Sequence, residues 1–186
     1  MAHSSSITDM KQQVVRELLD CKMFVDALDA KEVENVSDLV GTHIFTHPIN
    51  PEYLTNPCTF VVITTQIPRI TGDKMYTHPK VIIQIVSHVE HMKISPKEFK
   101  TGSNRNDFIS QIIDHIFNSD KTSKRKFGFF GQLDLIRNEE GYINKDWIFR
   151  YMEFETLDFN RALCECNTKD FFEKYGYKVP HYGADN

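Results

Sequence analysis

Much of what would announce a chemistry is missing from this sequence. There is no GxxxxGK[ST], no GxGxxG after a strand-like run and no GxSxG, so no standard phosphate cradle or nucleophile elbow is written in it. Cysteine is sparse. The four residues Cys21, Cys58, Cys164 and Cys166 fit neither a disulfide framework nor a paired CxxC zinc site, so reduced thiols are expected. No run approaches the roughly 18–20 apolar residues of a membrane span. The opening MAHSSSITDMK has no apolar core, so no secretory signal is expected there. A positive balance is absent too: the formal net charge of −4 argues against a dedicated nucleic-acid binder, which needs Lys and Arg to neutralise phosphate. Internal repeats and low-complexity stretches are lacking.

What is present is material for a core. The 186 residues are 40% hydrophobic and include fourteen Phe, seven Tyr and one Trp, which suits a single folded domain over residues 1–186, with 1–7 and 178–186 as tails. A helix is expected from Thr8, where Val14, Val15, Leu18, Leu19 and Met23 recur at three- and four-residue steps and the pattern fades by Leu28. The stretch GTHIFTHPINPEYLTNPC, with Pro48, Pro51 and Pro57, cannot be a regular helix and reads as a packed loop. Thr59 to Ile67 is a β-branched strand, and a second apolar β segment runs from Val81 to Ile94, most simply antiparallel to it. Asn104 to Phe117 is an amphipathic helix that Asn104 can cap, with Asp107 suited to the helix dipole. Gln132 to Arg137 and Asp146 to Phe154 read as a strand pair joined by a turn at Asn138 to Gly141, the later strand being apolar on both faces. Thr168 to Tyr175 is expected as a short helix stopped by Gly176. The sum is α+β: one mostly antiparallel sheet of about four strands, flanked by an N-terminal, a central and a short C-terminal helix.

Candidate chemistry is thin. His88 and His91 form an HxxH, but on a strand alternate residues share a face, so His88 and Glu90 would point one way and His91 the other. Cys164 and Cys166 form a CxC that could complete a zinc site with those histidines, although no second Cys pair supports it. Asp114 and His115 read as polar-face residues of the central helix. Arg105 gains nothing from the helix dipole and so should pair with an acid elsewhere in the chain or across an interface. The basic stretch with Lys124, Arg125 and Lys126, followed by Phe129 and Phe130, has the makings of a contact with DNA phosphate or an acidic partner.

The order of these pieces resembles a family. An N-terminal helix, the lead-in IFTHPINPEYLTNP, the strands FVVITTQIPRI and KVIIQIVSHVEHM, the helix NRNDFISQIIDHIF and the final pair within GQLDLIRNEEGYINKDWIFRYMEFETLDFNRA are similar in layout to tail-completion, tail-terminator and neck proteins of tailed bacteriophages. The similarity covers residues 8 to 165 and rests on layout more than on signature residues. It implies a structural virion protein with no catalytic site, metal or cofactor. Such proteins form rings, usually hexameric, between the neck or head and the tail tube, with DNA passing through without specific binding. It implies a homo-oligomer whose partners are the tail tube protein and neck or head-completion proteins, synthesised in the host cytoplasm and located in the virion. Loops at 71–79 and 119–130 would then reach neighbouring rings. Local chemistry nominates Arg105, Asp107, Lys124, Arg125, Lys126, Phe129 and Phe130 for contacts. Two readings of other classes stand beside it: a small metal-dependent enzyme using His88, His91, Cys164 and Cys166, and a DNA-binding accessory protein using the basic stretch.

Overall fold

A computed structural model describes residues 6–54, 56–68, 72, 76–94, 104–118, 133–156 and 158–159. The helices come first. α1 (Ser6–Asp20) buries Met10, Val14, Val15 and Leu18, one stripe at helical spacing. It does not run on to Leu28 as the periodicity predicts. The backbone at Cys21 turns extended (φ −89°, ψ 96°) and a second helix, α2 (Lys22–Leu28), starts there. This break lets Phe24, Ala27 and Leu28 reach the core from a new direction. α2 ends at Asp29, which takes the left-handed conformation (φ 55°), a state Asp tolerates better than most side chains do.

The sheet follows the order β1-β2-β4-β6-β5, with β1 at Ile44–Phe45, β2 at Thr59–Gln66, β4 at Lys80–His88, β5 at Asp134–Tyr142 and β6 at Trp147–Glu155. All neighbours are antiparallel except the short β1, which runs parallel to β2. A separate pair joins β3 (Tyr76–Thr77) to β7 (Asp158–Phe159). β4 is the middle strand, and its nearly continuous apolar run is buried on both faces, as a central strand requires. α3 (Arg105–Asn118) lies on the same face as α1 and α2. Its Ile109, Ile112, Ile113, Ile116 and Phe117 meet Val61, Ile63, Val81, Ile83, Ile85, Met152 and Phe154 in the main core. The opposite face has two characters. Near β1 the Pro-containing lead-in covers a smaller cluster of Phe45, Phe60, Val62, Val86 and Trp147, with Ile49 and Leu54 packed against it. Near β5 the same face carries charge: Lys80 bonds Glu153, Tyr151 donates to Glu153, and the Arg137 guanidinium lies 5.2 Å over the Tyr151 ring.

Two expected boundaries are corrected. The second β segment stops at His88 rather than Ile94, because the chain turns into a short 3-10 helix at Val89–His91, where Val89 N–H donates to the Asp146 carbonyl and Glu90 N–H to His88 Nδ1. Asn138 to Gly141 is not a turn but lies inside β5. The hairpin instead turns over residues 143–146, where Asn144 Oδ1 accepts from the amides of Asp146 (2.9 Å) and Trp147 (3.0 Å), an Asx-type turn. Gly141 has a different reason to be glycine. A Cβ there would sit 2.7 Å from the Phe149 ring that lies over it, so this glycine makes room for a cross-strand aromatic. The expected helix at 168–175 lies outside the described residues.

Candidate functional site

Strand alternation and helix period place three polar side chains on rows that otherwise face the main core. Thr59 precedes Val61 and Ile63 on β2, Ser87 follows Ile83 and Ile85 on β4, and Asn106 sits one turn before Ile109 and Ser110 on α3. All three are fully buried, and each finds partners. Asn106 Nδ2 donates to the Ile148 carbonyl (3.2 Å), which leaves Oδ1 as acceptor for the Ser87 hydroxyl (2.6 Å). With its proton spent on Asn106, Ser87 must accept from Thr59 (2.7 Å), and Thr59 must in turn accept from His91 Nδ1 (2.9 Å). The direction of donation thus puts a proton on His91 Nδ1. The other ring nitrogen, Nε2, faces Asp29 Oδ2 at 3.4 Å.

Arg105 closes this chain of contacts. It is 3% exposed. Its Nε donates to the His91 carbonyl (2.7 Å), one terminal nitrogen to the Ala27 carbonyl (2.6 Å), and the other to Asp29 (3.3 Å). The guanidinium therefore ties the end of α2, the turn after β4 and the start of α3 into one joint, using its planar fork on three separate acceptors. Of the two partners the sequence left open for Arg105, the structure supplies the one within the chain. The enclosed side chain finds its counter-charge in Asp29 of the same chain. Asp107 is half-buried beside it. Its amide bonds Asn104 Oδ1 (2.7 Å), as the capping pattern predicts, and its carboxylate takes Asn104 Nδ2 (2.8 Å) and Arg150. Arg150 also reaches Asn138 (2.9 Å) and Glu140 (3.4 Å), so the start of α3 is fastened to β6 and β5 as well.

Asp29, His91 and Thr59 have the order of an acid, a base and a hydroxyl, but the geometry makes a tie and not a nucleophile. Thr59 is fully enclosed, and its proton points to Ser87 rather than to the imidazole. His88 goes elsewhere. Its ring packs edge-on against Trp147 at 5.1 Å on the opposite face of the sheet, so the two histidines are separated by the turn at Val89 rather than by strand alternation. Among the described residues no group of three or more His, Cys, Asp or Glu side chains is arranged to hold a metal ion. Asp114 is half-buried and His115 exposed on α3. Lys124, Arg125, Lys126, Phe129, Phe130, Cys164 and Cys166 lie outside the described residues. Among the described residues no helix is long and apolar enough to cross a membrane.

An open cleft of about 700 Å³ lies at the β1 edge of the sheet, between residues 32–43 and the Pro-containing lead-in. Phe45, Ile49 and Leu54 line it together with Glu32, Glu34 and Asp38. His43, buried at its wall, places Nε2 3.1 Å from Glu32. Burial pushes the Cys58 thiol up to about 11, with Glu32 adding to the effect, so this cysteine is held protonated and is a poor nucleophile. Sequence reasoning missed Asp29, Thr59, Ser87, Asn106 and the cleft. The polar residues were legible as polar positions on core-facing rows. The cleft was not, because it joins segments with no shared pattern.

The buried His43 and the half-buried His91 both titrate low. Burial pulls His43 below its ordinary 6.5, with Glu32 opposing. Burial first, then Arg105, pulls His91 below 6.5, with Lys31 and His43 adding and Asp29 opposing. A folded-state value under the unfolded one means that the unfolded chain takes up protons first as the pH falls. Stability from these two groups is therefore full above 6.5 and declines as the pH falls through 6.5 towards the folded-state values. Urea unfolding at about pH 7.5 and about pH 5.5 should give a lower midpoint at the acid end, and His91→Gln should reduce the difference. Equal midpoints in the wild-type chain would show that the histidines are not held neutral.

No curated protein matches the chain. Among solved structures it is similar to a chain in "Virion of native gene transfer agent (GTA) particle", at 12% identity and a TM-score of 0.45, covering 84% of this chain and 99% of that one. The model of the YomW family matches residues 16–156, a span that takes in the cleft, the polar joint and the whole five-stranded sheet. That is well over half of the sequence, and the chain belongs to the YomW family.

Proposed function

We propose that this chain is a structural protein of a phage-like virion, acting by assembly and not by catalysis. The observation that carries this reading is membership of YomW, a phage-type family, across residues 16–156. The site geometry supports it. The buried side chains of Thr59, Ser87 and Asn106 are spent on one another, and the Cys58 thiol is held protonated. The Arg105 joint fixes the angle between helices and sheet, which suits a subunit whose task is to present surfaces at fixed positions.

Within that reading the chain is a tail terminator. Copies form a ring, a hexamer by the layout resemblance, that caps the tail tube and joins it to the neck, and DNA passes through without specific binding. The mechanism is geometric: one surface of each copy meets a different surface of the next, and the rotation closes. Sedimentation velocity of the purified chain, alone and with purified tail tubes, tests this. The expected result is a closed oligomer in one of the two mixtures. A chain that remains monomeric in both overturns the ring. Binding to neck or head proteins with none to tubes would favour a head-closure ring instead.

A further inference from the structure

The cleft at the β1 edge joins two kinds of surface. Phe45, Ile49 and Leu54 give it an apolar lining, and Glu32, Glu34 and Asp38 add exposed carboxylates from one short segment. Among the described residues no Lys or Arg lines it, and none pairs with these acids. Asp38 accepts from the neutral Asn35 (3.0 Å) and Ser37 (3.4 Å). Glu32 faces His43 Nε2 at 3.1 Å, but burial keeps that imidazole neutral at about pH 7. Elsewhere Asp26 meets Lys22, Asp29 meets Arg105, Glu139 meets Arg137 and Glu153 meets Lys80. The cleft thus concentrates negative charge that the described chain leaves uncompensated.

That charge selects the guest. It repels nucleic acid and attracts Lys or Arg, while the apolar lining asks for aromatic or aliphatic side chains beside the cation. A volume of about 700 Å³ takes a few residues rather than one side chain. Backbone at this edge is already committed: the His43 carbonyl accepts from Val61 N–H (2.7 Å) and the Ile44 carbonyl from Gly41 N–H (2.9 Å). A guest is therefore gripped by side chains rather than added as a further strand. Val36, Val40 and Tyr53, sequence neighbours of the lining residues, are exposed outside the cleft. A short segment filling the cleft alone leaves them in water, whereas a folded partner that delivers the segment covers them as well. We propose that the cleft docks a segment of a partner protein in which Lys or Arg stands beside aromatic or aliphatic residues, the cations meeting Glu32, Glu34 and Asp38 and the apolar side chains resting on Phe45, Ile49 and Leu54. This contact needs no ring: it is a surface for a different protein.

Fluorescein-labelled synthetic hexapeptides test it on the full-length chain. One alternates Lys and Phe, a second replaces its Lys by Glu, and a third replaces its Phe by Ser. Fluorescence anisotropy should show the Lys–Phe peptide bound about tenfold more tightly than either of the others. Glu32→Gln, Glu34→Gln and Asp38→Asn together should weaken it by about tenfold. Asp20→Asn, Asp134→Asn and Glu139→Gln, which neutralise exposed acids outside the cleft, should leave it bound as to the wild type. Should the cleft variant unfold at lower urea, Glu34→Lys alone carries the test, since that side chain is exposed. Equal binding of all three peptides, or equal loss in both sets of variants, overturns the proposal. So does a wild-type chain that binds none of them; if Lys124→Glu, Arg125→Glu and Lys126→Glu then reveal binding, the cleft belongs to the chain's own basic stretch. In every case the ring stands or falls by its separate sedimentation test.

Discussion

Replacing Arg105 by Ala should lower the unfolding free energy by about 3 kcal/mol. The guanidinium is buried and serves the Ala27 carbonyl, the His91 carbonyl and Asp29 at once. Its removal leaves two carbonyls and a carboxylate short of donors, each costing roughly 1–3 kcal/mol where water does not reach it, with partial relief where it does. Arg105→Lys should recover only part of the loss, because a single ammonium cannot span three acceptors held in a fork. Denaturant unfolding at neutral pH measures both. The fraction that still folds should assemble as the wild type does, since Arg105 makes no surface of its own. A variant of unchanged stability that fails to assemble would return Arg105 to the interface.

Asn106→Ala comes next, with an expected loss of about 3 kcal/mol. The side chain is fully buried and makes two bonds of opposite sense. Without it the Ser87 hydroxyl proton has no acceptor, the Ile148 carbonyl loses a donor, and a small void remains. Ser87→Ala should cost less, because the Thr59 hydroxyl can still turn to another acceptor. In a double-mutant cycle the pair should lose about 1 kcal/mol less than the sum of the singles, since both report the same bond. Strict additivity would mean that the two side chains do not cooperate and that the chain from His91 to Asn106 is three separate contacts.

The fold was legible where period and burial agree. The apolar rows of β2, β4 and α3, and the two-sided apolarity of β6, announce a central sheet with helices on one face, and the structure has it. Legibility failed where polar side chains act through space. The carboxylates and glycine of Asn138 to Gly141 look like a turn because turn residues and exposed edge-strand residues have the same composition; only the Phe149 ring over Gly141 tells them apart. The break at Cys21 was hidden because both halves share one helical pattern. Arg105 stands out as an unusual charge at a helix start, but its acceptors come from residues 27, 29 and 91, too far along the chain for local reasoning to pair.

The most direct measurement of the central claim is electron microscopy of particles made with and without this chain. Deleting its coding segment from the particle-producing genome, and then restoring it, should give unjoined heads and tails of uncontrolled length in the first case and complete particles in the second. Complete, infectious particles with tails of normal length in the absence of the chain would contradict the account.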